Sequence, residues 1–293
     1  EETGKKPAEG PAAEAKPVLG VLQVEKSGKV QTLVSGRFNE IPGLVADCWC
    51  YESPGITFSG ARLFDDGTVE LSHTWEGHPE KIITLFKSYM HKSGVSGIEI
   101  IARLENPEGA GVPVNENTQQ ECPNLNICWQ LIRSPNFSRT GGKQNYPEFI
   151  SRCFIFTDKG FTYLDRTGRS KIPCRSSDDP CNNPPFVQSY AAEWEDIPKV
   201  NDKSWSGFSP DKYVIPVIGV VSHDRKHLAA IATASAPAMC QAWHDCMHNN
   251  PQWNDSPDGT GKVWRMMMYG MENNPDLLLR RVIKDFPSGK RVI

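Results

Sequence analysis

Ala61-Arg62-Leu63-Phe64-Asp65-Asp66-Gly67-Thr68-Val69-Glu70-Leu71-Ser72-His73-Thr74-Trp75 decides the fold class. Asp66-Gly67 supplies the positive φ angles of a tight turn, and the residues after it alternate with a period of two. Val69, Leu71, His73 and Trp75 share one face; Glu70, Ser72 and Thr74 share the other. This is a β-hairpin with one apolar side. His73 falls on that side next to an indole, where it reads as a core histidine bonded to backbone rather than a catalytic group.

Outward from this hairpin the same grammar repeats. Ser151–Thr157 and Phe161–Leu164 flank Asp158-Lys159-Gly160, and Val214–Ser222 and His227–Thr233 flank Asp224-Arg225-Lys226, giving two more hairpins. Val18–Leu22, Thr32–Val34, Gly97–Glu105, Ile127–Ile132 and Val263–Tyr269 are further strand-like runs. Two stretches read as helices. Glu80–His91 places Ile82, Ile83, Leu85, Phe86, Tyr89 and Met90 at helical spacing, with Gly94 as a stop. Asn274-Pro275-Asp276 opens a helix that runs to Phe286, because Pro suits a first turn and Asp its positive end. Residues 1–17, rich in Ala, Pro, Glu and Lys, form a tail without apolar periodicity. Residues 18–293 are expected to be one mainly-β domain: a large antiparallel β-sandwich with one or two short helices.

Composition limits the function classes. The chain has 293 residues and a formal net charge of −3, so it lacks the basic footprint of a nucleic-acid or anionic-membrane binder. No apolar run approaches the length of a membrane-spanning helix, so membrane insertion is not expected. Gly 24 and Pro 23 favour short strands over long helices. Nine cysteines without a zinc-ribbon array favour an oxidising compartment, hence a secreted, periplasmic or cell-surface location. Cys174–Cys181 and then Cys122–Cys128 span loops that a disulfide can close. The odd count leaves one thiol over, and Cys153, in a strand-like run, fits that place.

Most of the chemistry sits in Cys240-Gln241-Ala242-Trp243-His244-Asp245-Cys246-Met247-His248. On a helix Cys240, His244 and His248 line one face. On a strand Cys240, Ala242, His244, Cys246 and His248 do. A local Cys240–Cys246 disulfide fits neither form and requires a looped segment. Cys240, His244 and His248 are one candidate metal set, since thiolate and imidazole suit zinc or copper. The zincin pattern is excluded, because Asp245 stands where its glutamate belongs. Two other readings stay open: a buried strand or helix whose histidines are simply satisfied, and a metal-free site with His244 or His248 as acid, base or ligand. Trp194, Trp205, Trp243 and Trp253 fall within the same region of the chain. Trp194 or Trp243 can wall a site with Glu193 beside it.

Ile98-Glu99-Ile100-Ile101-Ala102-Arg103-Leu104-Glu105-Asn106-Pro107, the order of the hairpins and the late polar-aromatic cluster resemble the galactose-mutarotase-like supersandwich proteins. That resemblance implies two large sheets and a carbohydrate-active protein, either lyase- or epimerase-like or lectin-like, with a glycan or other small polar ligand as partner. It also implies a histidine acid at His244 or His248 with Glu272 as a late acidic partner. For a lyase it implies Tyr190, with Arg265 neutralising a uronate. Two other functions compete: a metal-binding protein built on Cys240, His244 and His248, and a structural cell-surface interaction protein with no active site. The sequence names no cofactor and sets no oligomeric state.

Overall fold

The computed structural model describes residues 16–26, 29–51, 55–105, 127–140, 146–168, 188–190, 207–236, 238–241, 245–257, 259 and 261–287. Within them the chain is mainly β, with two sheets and two short helices. The strands in chain order are β1 (Val18–Lys26), β2 (Lys29–Phe38), β3 (Leu44–Cys50), β4 (Ile56–Leu63), β5 (Val69–Trp75), β6 (Lys81–Met90), β7 (Ser96–Glu105), β8 (Ile127–Gln130) and β9 (Cys153–Thr157). After them come β10 (Gly160–Tyr163), β11 (Gln188–Tyr190), β12 (Gly207–Phe208), β13 (Tyr213–Val221), β14 (His227–Thr233), β15 (Met239–Gln241), β16 (Cys246–Asn249), β17 (Asn254–Asp255) and β18 (Lys262–Glu272). The helices are α1 (Tyr146–Ile150) and α2 (Pro275–Asp285).

One sheet holds eight strands in the order β1-β2-β3-β8-β16-β15-β11-β12; the other holds ten, β10-β9-β13-β14-β18-β7-β6-β5-β4 with β17 paired to β18. Every pairing is antiparallel except β11 with β12. All three hairpins form: β4–β5 around Gly67 at φ +82°, β9–β10, and β13–β14. The expected large antiparallel sandwich is the observed architecture.

The helix expected over Glu80–His91 is strand β6. Ile82, Thr84 and Phe86 are fully buried at every second position, and the strand is hydrogen-bonded to β5 and β7 on its two sides. The run has both periods in it. Ile82, Ile83 and Thr84 are β-branched, and two waiting strand edges settle the choice in favour of extension. The C-terminal helix forms as expected. Asn274 caps it by accepting from the Leu277 N–H at 3.0 Å, with Pro275 in the first turn.

The core lies between the sheets. Val34, Cys48, Trp129, Met239 and Met247 of the eight-stranded sheet pack on Leu71, Ile82, Ile98, Ile218 and Met266 of the other. Polar bonds cross the gap. The Trp129 indole N–H points at Met266 Sδ (3.4 Å); Asn249 accepts from Thr233 Oγ1 (3.0 Å) and donates to the Pro216 carbonyl (3.2 Å). The outer face of the ten-stranded sheet is covered as well, by α2, whose Leu278 and Val282 pack with Phe161, Tyr269 and Met271 of the sheet. This is why β13 and β14 read as continuous apolar runs rather than alternating ones. Gly219 of β13 sits where no side chain fits: a Cβ would lie 2.6 Å from the Ala229 carbonyl oxygen and against the Phe154 ring. Gly219→Ala is expected to cost about 1–3 kcal/mol in chemical denaturation by overpacking alone; an unchanged midpoint would contradict it.

Candidate metal centre

The reactive stretch folds as a hairpin rather than one regular element. β15 and β16 pair antiparallel, with Met239 opposite Asn249 and Cys240 opposite His248. Asn250-Pro251 ends the second strand, as Pro removes a ladder donor. Met239 and Met247 face the core, so Cys240, Cys246 and His248 take the outer face of the eight-stranded sheet. β8 lies on the other side of β16, with Cys128 opposite His248 and Gln130 opposite Cys246. β3 follows, with Trp49 opposite Cys128 and Asp47 opposite Gln130.

That register brings three ligand atoms together. The Cys128 and Cys246 sulfurs and a His248 ring nitrogen all lie within 4.8 Å of one another, and all three residues are buried. His248 Nε2 is 3.2 Å from Cys246 Sγ. Leu33 and Trp49 pack beside the two cysteines. In a tetrahedral zinc site with Zn–S near 2.3 Å and Zn–N near 2.0 Å, neighbouring donors stand about 3.5–3.8 Å apart. The three atoms need to shift by no more than about 1 Å to enclose an ion. Two sulfurs and an imidazole in a low-dielectric setting suit Zn²⁺ or Cu⁺ and disfavour hard cations such as Mg²⁺.

The surroundings are fixed by ion pairs. Asp245, at the entry to β16, is held by Arg139 through Nε (2.7 Å) and the backbone N–H (2.9 Å), and its carbonyl accepts from the Leu131 N–H (2.7 Å). Asp47 receives a bidentate fork from Arg133, at 2.7 and 2.5 Å.

Cys240 and His248 are cross-strand partners, whereas His244 lies outside the described residues. Glu193, Trp194, Trp205 and Trp243 lie outside them too. Tyr190 is buried on the core side of its sheet, its hydroxyl 2.8 Å from Thr167 Oγ1. Arg265 is on the outer face of the other sheet, donating to Glu99 (2.6 Å) and the Asp285 carbonyl (2.6 Å) and lying over Phe286. Neither shares a face with His248. Glu272 is exposed at the far end of β18.

Cys128 and Cys246 are the residues sequence reasoning did not assign as ligands. The strand alternation already put Cys246 beside His248; Cys128, far away in sequence, carried no such signal. No two described cysteines lie at disulfide distance; the Cys48 and Cys50 sulfurs stand 3.5 Å apart. Cys122, Cys174 and Cys181, on which both expected disulfides depend, lie outside the described residues. Cys153 is buried in the core, and burial pushes its thiol well up, so it stays protonated. No family model matches the chain, and no curated protein matches it.

Proposed function

We propose that the protein is a metal-binding β-sandwich protein whose centre is Cys128, Cys246 and His248, taking Zn²⁺ or Cu⁺. The observation that carries this reading is the convergence of two buried sulfurs and a buried imidazole within 4.8 Å, from strands distant in sequence. Two thiolates and an imidazole are a donor set that zinc takes. The test is direct: strip the full chain with chelator, add Zn²⁺ or Cu⁺ under reducing conditions, and measure bound metal and melting temperature. One equivalent per chain is expected, with stabilisation of about 4 kcal/mol once free metal reaches ~1,000 times Kd. Cys246→Ala is expected to abolish stoichiometric binding. A wild-type chain that takes up neither ion overturns the reading.

A second reading is a carbohydrate-active sandwich that binds or alters a glycan, as the supersandwich resemblance implies. One observation favours it: the same outer face carries Trp49 together with Asp47, Arg133 and Gln130, an indole among hydrogen-bonding side chains. A secreted, periplasmic or cell-surface location belongs with that reading. A glycan array, with acidic and neutral polysaccharides assayed for binding and for unsaturated products, tests it. No binding and no turnover across the panel removes it.

A further inference from the structure

We propose that Cys48 and Cys50 form a reversible dithiol–disulfide site, closed and reopened by exchange with a small soluble disulfide of the glutathione type. The two stand at i and i+2 on β3, so both take the core face of the eight-stranded sheet. The metal centre is on the other face, where Trp49 stands opposite Cys128. The two sulfurs are 3.5 Å apart. Cys48 is fully buried, whereas Cys50 is half-buried. A small reagent in solution therefore meets Cys50, with Cys48 behind it and in reach of the same sulfur. This is the arrangement of a reacting thiol backed by a resolving one.

The backbone makes the resulting bond a labile one. Residues two apart on a strand have Cα atoms about 6.4–6.8 Å apart. Disulfides tolerate about 4.4–6.8 Å and favour about 5.5–6 Å. Closing the bond pulls the end of β3 out of extended geometry, and a strained disulfide is the more easily reduced. The end of β3 is placed to take up that movement. Cys50 makes the last ladder pair with β8, opposite Ile127. Tyr51 follows at φ +60°, a left-handed conformation uncommon outside Gly, Asn and Asp. Its hydroxyl is bonded to Thr84 Oγ1 of β6, in the facing sheet, at 2.5 Å. Backbone held in so sparsely populated a region clusters at functional sites.

The exchange runs in two balanced steps. Cys50 gives up its proton and its sulfur attacks one sulfur of the small disulfide. A bond forms to Cys50, the reagent's own S–S bond breaks, and one half leaves as a thiolate that takes up the proton. Cys48 then gives up its proton and attacks the Cys50 sulfur, expelling the second half in the same way. The protein loses two electrons and two protons, and the reagent becomes two thiols. An excess of that thiol runs both steps backwards.

Trypsin cuts after Arg37 and Arg62, so the two cysteines share one peptide that holds no other cysteine. The native full chain is equilibrated with reduced and oxidised glutathione over a range of ratios, quenched with acid, then alkylated in denaturant and mapped by mass. As the buffer turns oxidising, this peptide is expected to go from two alkyl groups to none with the loss of two hydrogens, and to return when the buffer is reversed. Cys48→Ser is expected to retain one glutathione on Cys50, since the resolving thiol is gone. Cys50→Ser is expected to leave Cys48 alkylated throughout. The proposal is overturned by a wild-type peptide alkylated twice at every ratio, or by either cysteine bridged to a different peptide. It is equally overturned by Cys48→Ser without glutathione on Cys50, or by glutathione on Cys48 in Cys50→Ser. Should a variant fail to fold, the wild-type titration decides alone.

Discussion

Arg152→Met is expected to lower stability by about 3–5 kcal/mol, the range for breaking a buried charged pair. Arg152 is 2 % exposed and is fully engaged. Its guanidinium donates to the carbonyls of Phe137 (3.0 Å), Val221 (2.8 Å) and Ser138 (3.3 Å) and forks onto Glu148 at 2.5 and 3.1 Å. Methionine matches much of the volume and returns none of those bonds, so the Phe137 and Val221 carbonyls lose the Arg152 donor, and the Ser138 carbonyl and Glu148 lose it while keeping His223 beside them. Burial alone would raise the Glu148 carboxyl, but hydrogen bonds and charge from Arg152, with His223 beside it, hold it below its ordinary value. The variant should therefore show both a lower denaturant midpoint and an upward-shifted Glu148 titration. Arg152→Lys, which keeps charge without the planar fork, should fall between. The loop that Arg152 pins continues into Arg139, the partner of Asp245 next to Cys246, so weakened metal binding should accompany the loss of stability. A midpoint within about 0.5 kcal/mol of wild type would contradict the prediction.

The second large effect is on acid sensitivity. His73 sits on the core face of β5, 4 % exposed, with its ring edge-on to Tyr51 (4.7 Å) and Phe58 (5.8 Å). Burial depresses its pKa from 6.5 to about 4. The unfolded chain takes up a proton near pH 6.5, while the folded one refuses it until about pH 4. The contribution of the neutral ring is thus complete above pH 6.5 and is lost progressively down to about 4, at up to ~1.4 kcal/mol per pH unit. Over that window His73 accounts for about 3 kcal/mol of acid destabilisation. Denaturation of wild type and His73→Leu from pH 7.5 to 4 isolates the term, since every other group is shared. The variant's curve should be flatter by that amount; parallel curves would show that His73 does not carry it.

The same residue shows what the sequence could and could not convey. Alternation after Asp66-Gly67 placed His73 on the apolar face. It did not reveal that Nδ1 has no hydrogen-bond partner among the described residues; the ring is held by aromatic neighbours, not by the backbone bonds expected of it. Hairpins were legible because turn and alternation are local in the chain. β6 was not, since Ile82-Ile83-Thr84-Leu85-Phe86 fits a helical stripe as well as a strand, and only pairing to β5 and β7 separates the two. β8 was legible as a strand, but its place beside β16 was not, and so Cys128 read as a loop thiol near Cys122 rather than a neighbour of His248. Local pattern reports which face a side chain takes; it carries no information on which distant strand completes that face.

The pairing of β7 with β18 has a consequence for how the protein is made. Ile98, Ile100 and Ala102 are covered on one side by Met268, Met266 and Trp264, which belong to the last strand of the sheet to be synthesised. At ~5–20 residues per second, the ribosome takes about 8–30 s to move from Glu105 to Lys262. Throughout that interval the nascent β6–β7 pair presents a long apolar strand with one unsatisfied edge, the form most prone to pair with a neighbouring chain. Yield in cells should therefore depend on chaperone supply and translation speed more than the finished molecule's stability would suggest.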